Sequence, residues 1–382
     1  MLDTIFEHGP ISRVQVAEIA GLSKPTVNAI VRDLVEVGLV QAEGTTSGSL
    51  GRAATLYGVN GLAGIVLGVD LGGTKVRAAL VDLYGEIYAE QTEPTDNQGG
   101  EAVIAQVRRM GHGMVERLGL DWQQVSAVGF CAPGVIDPTT GRVDLAYNLP
   151  GFGDVQLHSD LCEALGVEVI IDNDVNMAAM GEKWQGLGAT TNNFAFLAIG
   201  TGFGMGLVID NELIHGARGA AGEIAYLPIG RDLFTNPEVR LRGSLEEAAA
   251  SSGIENTLRQ KLSEGTSSTL KAGVRVADIF AAAAAGDDVA NAVIDHEARL
   301  VAQAILAVSA IVDPGLFILG GGIGSNPLLL EPVRRYVDDI APYQIEVVTS
   351  TLGDRASVLG TLVVGLNHVR EKLFNERGPK YG

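Results

Sequence analysis

The chain has only two cysteines in 382 residues, Cys131 and Cys162. They are too few and too far apart for a disulfide framework or a C-x-x-C metal knuckle. No apolar run reaches about 18 residues without a charge or a turn, so no membrane span is expected. The start, MLDTIFEHGP, lacks the basic segment and apolar stretch of a secretion signal. These absences lead to the expectation of a soluble cytoplasmic protein with no membrane partner. Cations are scarce: 27 Lys and Arg stand against 46 Asp and Glu, a net charge of −19. That excludes a broad, non-specific grip on nucleic acid. It leaves room for a small DNA-reading head, because residues 1–60 carry only −2 of that charge and the remainder −17. Glycine is abundant instead. Its 50 residues follow no period, which fits the turns of an α/β protein. The length allows two or three domains with large cores.

Residues 1–60 read as three helices and a hairpin. The first helix, around Leu2–His8, is stopped by "HGP". In the second, Ser12 and Gln15 have capping-box spacing, Val14, Ala17 and Ile19 supply apolar positions, and Gly21 closes it. Ser23 caps the third, with Pro25 in its first turn. Val27, Ile30, Val31 and Leu34 form its inner stripe, leaving Lys24, Thr26, Asn28 and Arg32 outward. "LVQAEGTTSGSLGRAATLYGV" then gives two short strands around a loop carrying Arg52. This is the order of a winged helix-turn-helix, whose third helix enters the major groove while Arg52 reaches phosphate or the minor groove. A helical interaction domain with a merely solvated polar face is the alternative.

From Ile65 the pattern becomes strand, glycine turn, strand. In "IVLGVDLGGTKVRAALVD", Asp70 ends a strand, Gly72 and Gly73 let amides approach an anion, Thr74 offers a hydroxyl and Lys75 a cation. "FAFLAIGTGFGMGLVI" is expected to place Gly200, Thr201, Gly202 and Gly204 in a second turn. "GLFILGGGIGSN" places Gly320, Gly321 and Gly322 after a third strand. Three such loops at strand ends favour a nucleotide cleft. No Walker A motif occurs, and "GTGFGMG" runs into another strand rather than a helix.

A second polar cluster follows. In "EVIIDNDVNMAAMGE", Asp172, Asn173, Asp174 and Asn176 crowd the corner between a strand and a helix. Capping needs one such residue, not four. A carboxylate there can serve as general base toward a hydroxyl attacking a γ-phosphate. "AGEIAY" contributes Glu223, a lone carboxylate among apolar residues, which is costly to bury without a partner.

These segments resemble the ROK family (repressors, open reading frames and sugar kinases). "GPISRVQVAEIAGLSKPTVNAIVRDLVEVGLV" followed by "GR" is similar to that family's N-terminal head. The resemblance puts Ser23, Lys24, Thr26, Asn28 and Arg32 on the reading helix and Gly51–Arg52 in the wing. It implies an α/β fold of the actin-like sugar kinase ATPase type, with two lobes closing on a cleft behind the winged helix-turn-helix. The expected division is 1–60 for the head, 61–175 for the first lobe and 176–355 for the second. A helix at about 356–376 returns to the first lobe. Asp70–Lys75 and Gly200–Gly204 become phosphate loops, and Gly320–Gly322 lies against adenosine.

The family's N-D-x-N motif matches Asn173–Asn176, which implies Asp174 as base and Asn173 as a sugar contact. "APGVIDPTTGRVDLAYNLPGF" adds Gly134 and Asn148, although Phe152 stands where the family usually has tryptophan; Asn148 as a plain turn residue is the competing reading. Glu223 and Glu246 match the sugar-binding glutamates. The family's zinc ligands are a histidine, here replaced by Tyr226, and three cysteines, absent from "LFTNPEVRLRGSLEE". No structural zinc is expected, since zinc needs three or four such ligands. Tyr226 either packs this loop with its polar tip or bonds the ligand, packing being favoured.

The expected function is a ligand-responsive repressor of carbohydrate uptake or catabolism genes, a homodimer or homotetramer reading palindromic operator DNA and sensing a sugar or sugar derivative. The rival is an ATP-dependent sugar kinase, which alone would need ATP and Mg²⁺. An interaction module without ligand leaves the Asn/Asp/Glu set unexplained.

Overall fold

The computed structural model describes residues 1–46, 53–136, 143–144, 156–232, 234, 237–265 and 267–375. The head consists of α1 (Leu2–His8), β1 (Ile11–Ser12), α2 (Arg13–Ala20), α3 (Lys24–Glu36), β2 (Val40–Thr45) and β3 (Thr55–Val59). Its boundaries follow from capping chemistry. Ser12 Oγ accepts from Gln15 N while Gln15 Oε1 accepts from Ser12 N, a closed capping box. Gly21 ends α2 at φ 65°, a left-handed turn that only glycine adopts cheaply. Ser23 caps α3, with Pro25 in the first turn. The strands pair antiparallel in the order β1-β3-β2. Ile5, Val16, Val27, Val31, Val40 and Val59 fill the core. One expectation fails: Val14 and Ile19 are 44% and 54% exposed, because α2 turns Val16 and Ala17 inward.

The first body sheet contains β4 (Ile65–Leu71), β5 (Lys75–Val81), β6 (Ile87–Pro94), β7 (Val125–Ala132) and, after the short pair β8 (Val135–Ile136) and β9 (Val143–Asp144), β10 (Val169–Asn173). Its order is β10-β7-β4-β5-β6; β4, β5 and β6 form an antiparallel meander, and β7 and β10 run parallel to β4. Every residue of β4 is buried, as expected for a strand covered on both faces. One face meets α4 (Gly100–Arg117) and α5 (Leu157–Leu165). The other meets the C-terminal helix, residues Ala356–Asn375. That helix sits so close that a side chain on Gly129 would run into the Thr361 carbonyl.

The second sheet follows α6 (Asp174–Gln185), and contains β11 (Phe194–Ile199), β12 (Phe203–Ile209), β13 (Glu212–Leu213), β14 (Leu316–Gly320) and β15 (Glu346–Thr349) in the order β13-β12-β11-β14-β15. One face is covered by a large apolar cluster drawn from α8 (Ser244–Ala249), α9 (Ser251–Ser263), α10 (Val276–Ala284), α11 (Asp288–Val312) and α13 (Pro327–Ile340), with α7 (Pro237–Arg242) and the single turn α12 (Gly321–Gly324) beside them. The other face meets α6. The C-terminal helix, α14, packs against α6 as well, so these two helices stand between the sheets. Among the described residues, no helix is long and apolar enough to cross a membrane.

The head is not a loosely tethered unit. Its apolar core continues into Val66, Val81 and Leu83 of the first lobe and Leu362, Leu366 and Val369 of α14. Phe6 stacks on Tyr84 with ring centroids 5.1 Å apart, and Arg370 lies 4.9 Å over the Phe6 ring. Arg370 also donates two hydrogen bonds to the Leu83 carbonyl, at 3.1 and 2.8 Å. The three-helix head is thereby fastened to the helix that crosses the centre of the body.

Candidate functional site

The corner at the end of β10 collects four polar side chains, and each has a distinct task. Asn173 is the N-cap of α6: its Oδ1 accepts from Val175 N at 2.8 Å and Asn176 N at 3.3 Å. Its amide nitrogen donates to the Gly134 carbonyl at 2.7 Å, which leaves one amide hydrogen without an acceptor among the described residues. Asn176 is buried and donates to Asp172 Oδ1 at 2.9 Å, so it orients a carboxylate. Asp174, in the first turn of α6, is partly buried and accepts a 2.9 Å bond from Val175 N. A helix N-terminus favours the carboxylate. Burial wins nonetheless, and together with the nearby Asp70 charge it pushes the Asp174 carboxyl up from 3.8 to about 6.

Asp70 is buried at the end of β4. Burial raises its carboxyl too, partly offset by Arg77 at 3.3 Å and by the Cys131 thiol, which donates to Oδ1 at 3.4 Å. Burial and the Asp70 charge hold the Cys131 thiol well above its ordinary range, so it acts as a donor and not as a nucleophile.

The second lobe supplies two more carboxylates. Glu223 precedes a short 3₁₀ turn, Ile224–Tyr226, and Gly222 before it takes φ 91° against the backbone of Met205. Burial, then the charge of Glu246, raises the Glu223 carboxyl. Among the described residues no donor reaches it. Glu246, in the first turn of α8, accepts from Phe203 N at 3.1 Å, yet burial still raises it. Asp174 also feels Glu223. Asp70, Asp174, Glu223 and Glu246 therefore form a chain of mutually repelling carboxyls spanning both lobes. Tyr226 is 37% exposed, and its hydroxyl donates to the Leu241 carbonyl at 2.9 Å, tying the 3₁₀ turn to α7.

The glycine loops take up different positions. The first is a tight turn, Gly72 N donating to Lys75 O at 2.9 Å, with Gly73, Thr74 and Lys75 exposed and Thr95 bonded to Gly72 O at 2.7 Å. In the second, Gly200 N donates to Gly202 O, and Ser251 caps Gly200 O through both its amide and its hydroxyl, at 3.0 and 2.9 Å. Thr201 is exposed there. The third meets the second: a side chain on Gly200 would find the Gly322 amide 3.9 Å away, while Gly322 itself faces open space. Gly320 ends β14 against the Phe196 ring, and Gly321 takes φ 77°. Gly204 departs from expectation. It lies within β12, not in the turn, and its missing side chain admits Val175 of α6 at 3.1 Å.

On α3, Ser23, Lys24, Thr26, Asn28 and Arg32 are exposed. Ser23 Oγ lies 2.8 Å from Thr26 Oγ1, Arg13 donates to Asn28 at 3.5 Å, and Arg32 leans on Asp33 at 3.1 Å. Gly51, Arg52 and Asn148 lie outside the described residues.

The model of the ROK family matches residues 66–367. The chain belongs to the ROK family. A winged helix-turn-helix DNA-binding model matches residues 1–41. A glucokinase of Halalkalibacterium halodurans is 33% identical over 77% of this chain and 92% of its own length. A xylose repressor of Caldicellulosiruptor bescii is 28% identical, covering 95% of this chain and 94% of the repressor, head included. Among solved structures, a ROK family transcriptional regulator superposes with a TM-score of 0.75 over 95% of this chain and 93% of that one; at 24% identity it speaks for the fold. A ROK hexokinase from Thermus thermophilus gives 0.67 at 28% identity, covering 80% of this chain and 99% of the hexokinase. Full-length similarity thus runs to regulators, and similarity over the body alone to kinases.

Several residues at this ROK site escaped the sequence reading. Arg77 had a usable signal: a tight turn after Asp70 pairs the two residues directly across β4 and β5. Cys131 and Ser251 reach the site through chain crossovers, and His215 by pairing with Asp172 43 positions away. No local pattern announces those contacts.

Proposed function

We propose that this ROK protein is a sugar-responsive transcriptional repressor of carbohydrate uptake or catabolism genes. One observation carries the reading: a winged helix-turn-helix is packed onto a body whose cleft holds Glu223, a partly buried carboxylate without a donor among the described residues. Sugar hydroxyls are suitable donors, and hydrogen bonds to an ionised acceptor are the stronger kind. Asp174, Glu246 and the remaining amide hydrogen of Asn173 would take further hydroxyls. Such a site rejects analogues that lack those hydroxyls. Alignment with xylose repressors over head and body supports the assignment.

The route from cleft to head is contiguous. Helix α6 starts at Asp174 and packs along α14, and α14 carries Arg370 to Phe6. A ligand that favours one lobe arrangement would bias the head with it. The reading includes a cytoplasmic homodimer or homotetramer whose two heads match half-sites about 34–36 Å apart on a palindrome.

A kinase reading has its own support. Asp174, with a carboxyl at about 6, is largely ionised at neutral pH and suits a general base. Gly200–Gly202 and Gly320–Gly322 lie side by side and, with Asp70 and Gly72–Lys75, would hold ATP and Mg²⁺; the bound nucleotide would supply the phosphoryl group. A coupled assay with ATP, Mg²⁺ and a panel of sugars separates the two. The expected result is no turnover; turnover that Asp174→Asn abolishes would make the protein bifunctional.

The reading also excludes a structural zinc. The Tyr226–Leu241 hydrogen bond supports the loop where the family places its metal, and residues 231–246 contain no cysteine. Metal analysis of purified protein should return no zinc, and one zinc per chain would contradict this account of the loop.

A further inference from the structure

One ion pair joins the outer edges of the two sheets beside the carboxylate cluster. β10 is one edge strand of the first sheet and β13 one edge strand of the second. Asp172 lies in β10. His215 follows β13 and opens the loop that ends at Glu223. His215 Nε2 is 2.6 Å from Asp172 Oδ2. The other Asp172 oxygen accepts from Asn173 N at 2.6 Å and Asn176 Nδ2 at 2.9 Å, so the carboxylate is fixed on its own lobe. On the second lobe the loop is closed on itself, Ala221 N donating to His215 O at 3.0 Å, and Met205 N donates to Gly222 O at 3.1 Å. The Glu223 loop is thus held to its own lobe by Met205 N, by Ile214 N on the Leu207 carbonyl at 2.8 Å and, just beyond it, by Tyr226 on the Leu241 carbonyl, and to the other lobe through His215.

We propose that the His215–Asp172 pair is a positioning latch that holds the Glu223 loop against the Asp174 corner and so fixes the spacing between the two halves of the ligand site. This rests on the reading that Glu223 and Asp174 bind a sugar. Both latch members act through others: Asp172 already accepts three hydrogen bonds, from Asn173 N, Asn176 and His215, and His215 is turned to Asp172.

The latch depends on pH. Asp172 of β10 is the charged group facing the imidazole; Asn176 of α6, beside it, is neutral; Glu212 and Arg218 of its own segment are exposed. The hydrogen bond to Asp172 holds the imidazole proton above the ordinary histidine value, against the opposing effect of burial. The pairing is thus complete below the ordinary value of about 6.5 and is lost as pH rises through the raised one.

Hydrogen exchange on the full chain tests the latch without a ligand. His215→Ala and Asp172→Asn should each speed exchange of amides 221–226 about tenfold near pH 6, with strands β11 and β14 unaffected. The wild type should show the same acceleration near pH 9 after correction for intrinsic rates, and His215→Arg, which keeps a cation, should abolish that pH dependence. Unchanged exchange at 221–226 in His215→Ala overturns the latch. Titration with D-glucose and D-xylose then reads its role in binding: His215→Ala should weaken whichever sugar the wild type binds by about tenfold. Equal affinity overturns the positioning role. A wild type that binds no sugar counts against the sugar site, while the exchange result still decides the latch.

Discussion

Asp174→Asn should be more stable than the wild type near pH 8 and bind sugar far more weakly. The two effects share one cause. Burial and Asp70 lift the Asp174 carboxyl from 3.8 to about 6. The stability contributed by its protonated form is fully present below 3.8 and lost as pH rises through about 6. A shift of that size corresponds to about 3 kcal/mol of destabilisation at and above neutral pH. Asparagine fits the same corner without ionising, so the variant should melt higher at pH 8, with the gap closing toward pH 4. On the proposed function, the cluster gives up stability for ligand binding. Losing a charge-assisted hydrogen bond to a sugar hydroxyl costs about 1.5–3 kcal/mol, or about 10- to 150-fold in affinity. Melting curves across pH together with sugar titrations check both halves. A variant that melts lower at pH 8 would show that the carboxylate is stabilised by something else.

Asn28→Ala and Lys24→Ala should both damage DNA binding, in different ways. Asn28 is exposed on the outer face of α3, where an amide can pair with an adenine edge in the major groove. Its loss should cost about 1–3 kcal/mol and relax the preference for one base pair. Lys24 lies in the first turn of α3, where a cation meets phosphate. Its loss should weaken all sequences alike and lower the salt slope by about 1. Neither side chain is in the head's core, so the fold should survive. Binding isotherms on matched and single-mismatch DNA at several salt concentrations distinguish the two patterns; identical losses on every sequence for both variants would remove Asn28 from base reading.

The contrast between these regions explains what the sequence could show. Head and body architecture were legible because their signals are local: Ser12 with Gln15, Gly21, Ser23 with Pro25, and apolar strands ending in glycine turns. Local periodicity misplaced Val14 and Ile19, since the small head buries only the α2 face turned toward α1 and α3. Gly204 looked like a loop residue because glycine serves turns and close helix contacts alike, and sequence does not distinguish them. At the corner, the crowding of Asp172, Asn173, Asp174 and Asn176 was visible, but the allocation of tasks was not. Asn173 caps, Asn176 orients, and Asp172 answers a histidine from the other lobe; only the three-dimensional pairing of β10 with the Glu223 loop separates them. Glu223 was conspicuous as a lone carboxylate in an apolar run, and its surroundings in the fold explain why it is held in reserve.

The claim that head and cleft form one regulated unit is tested most directly by a linked titration. The full-length chain would be given a DNA fragment that it selects from a random pool, and its affinity measured by fluorescence anisotropy with and without the sugar that raises its melting temperature most. The expected result is a change in DNA affinity of about tenfold, mirrored by an equal change in sugar affinity when DNA is bound, as linkage requires. Sugar binding that leaves DNA affinity untouched would contradict the account.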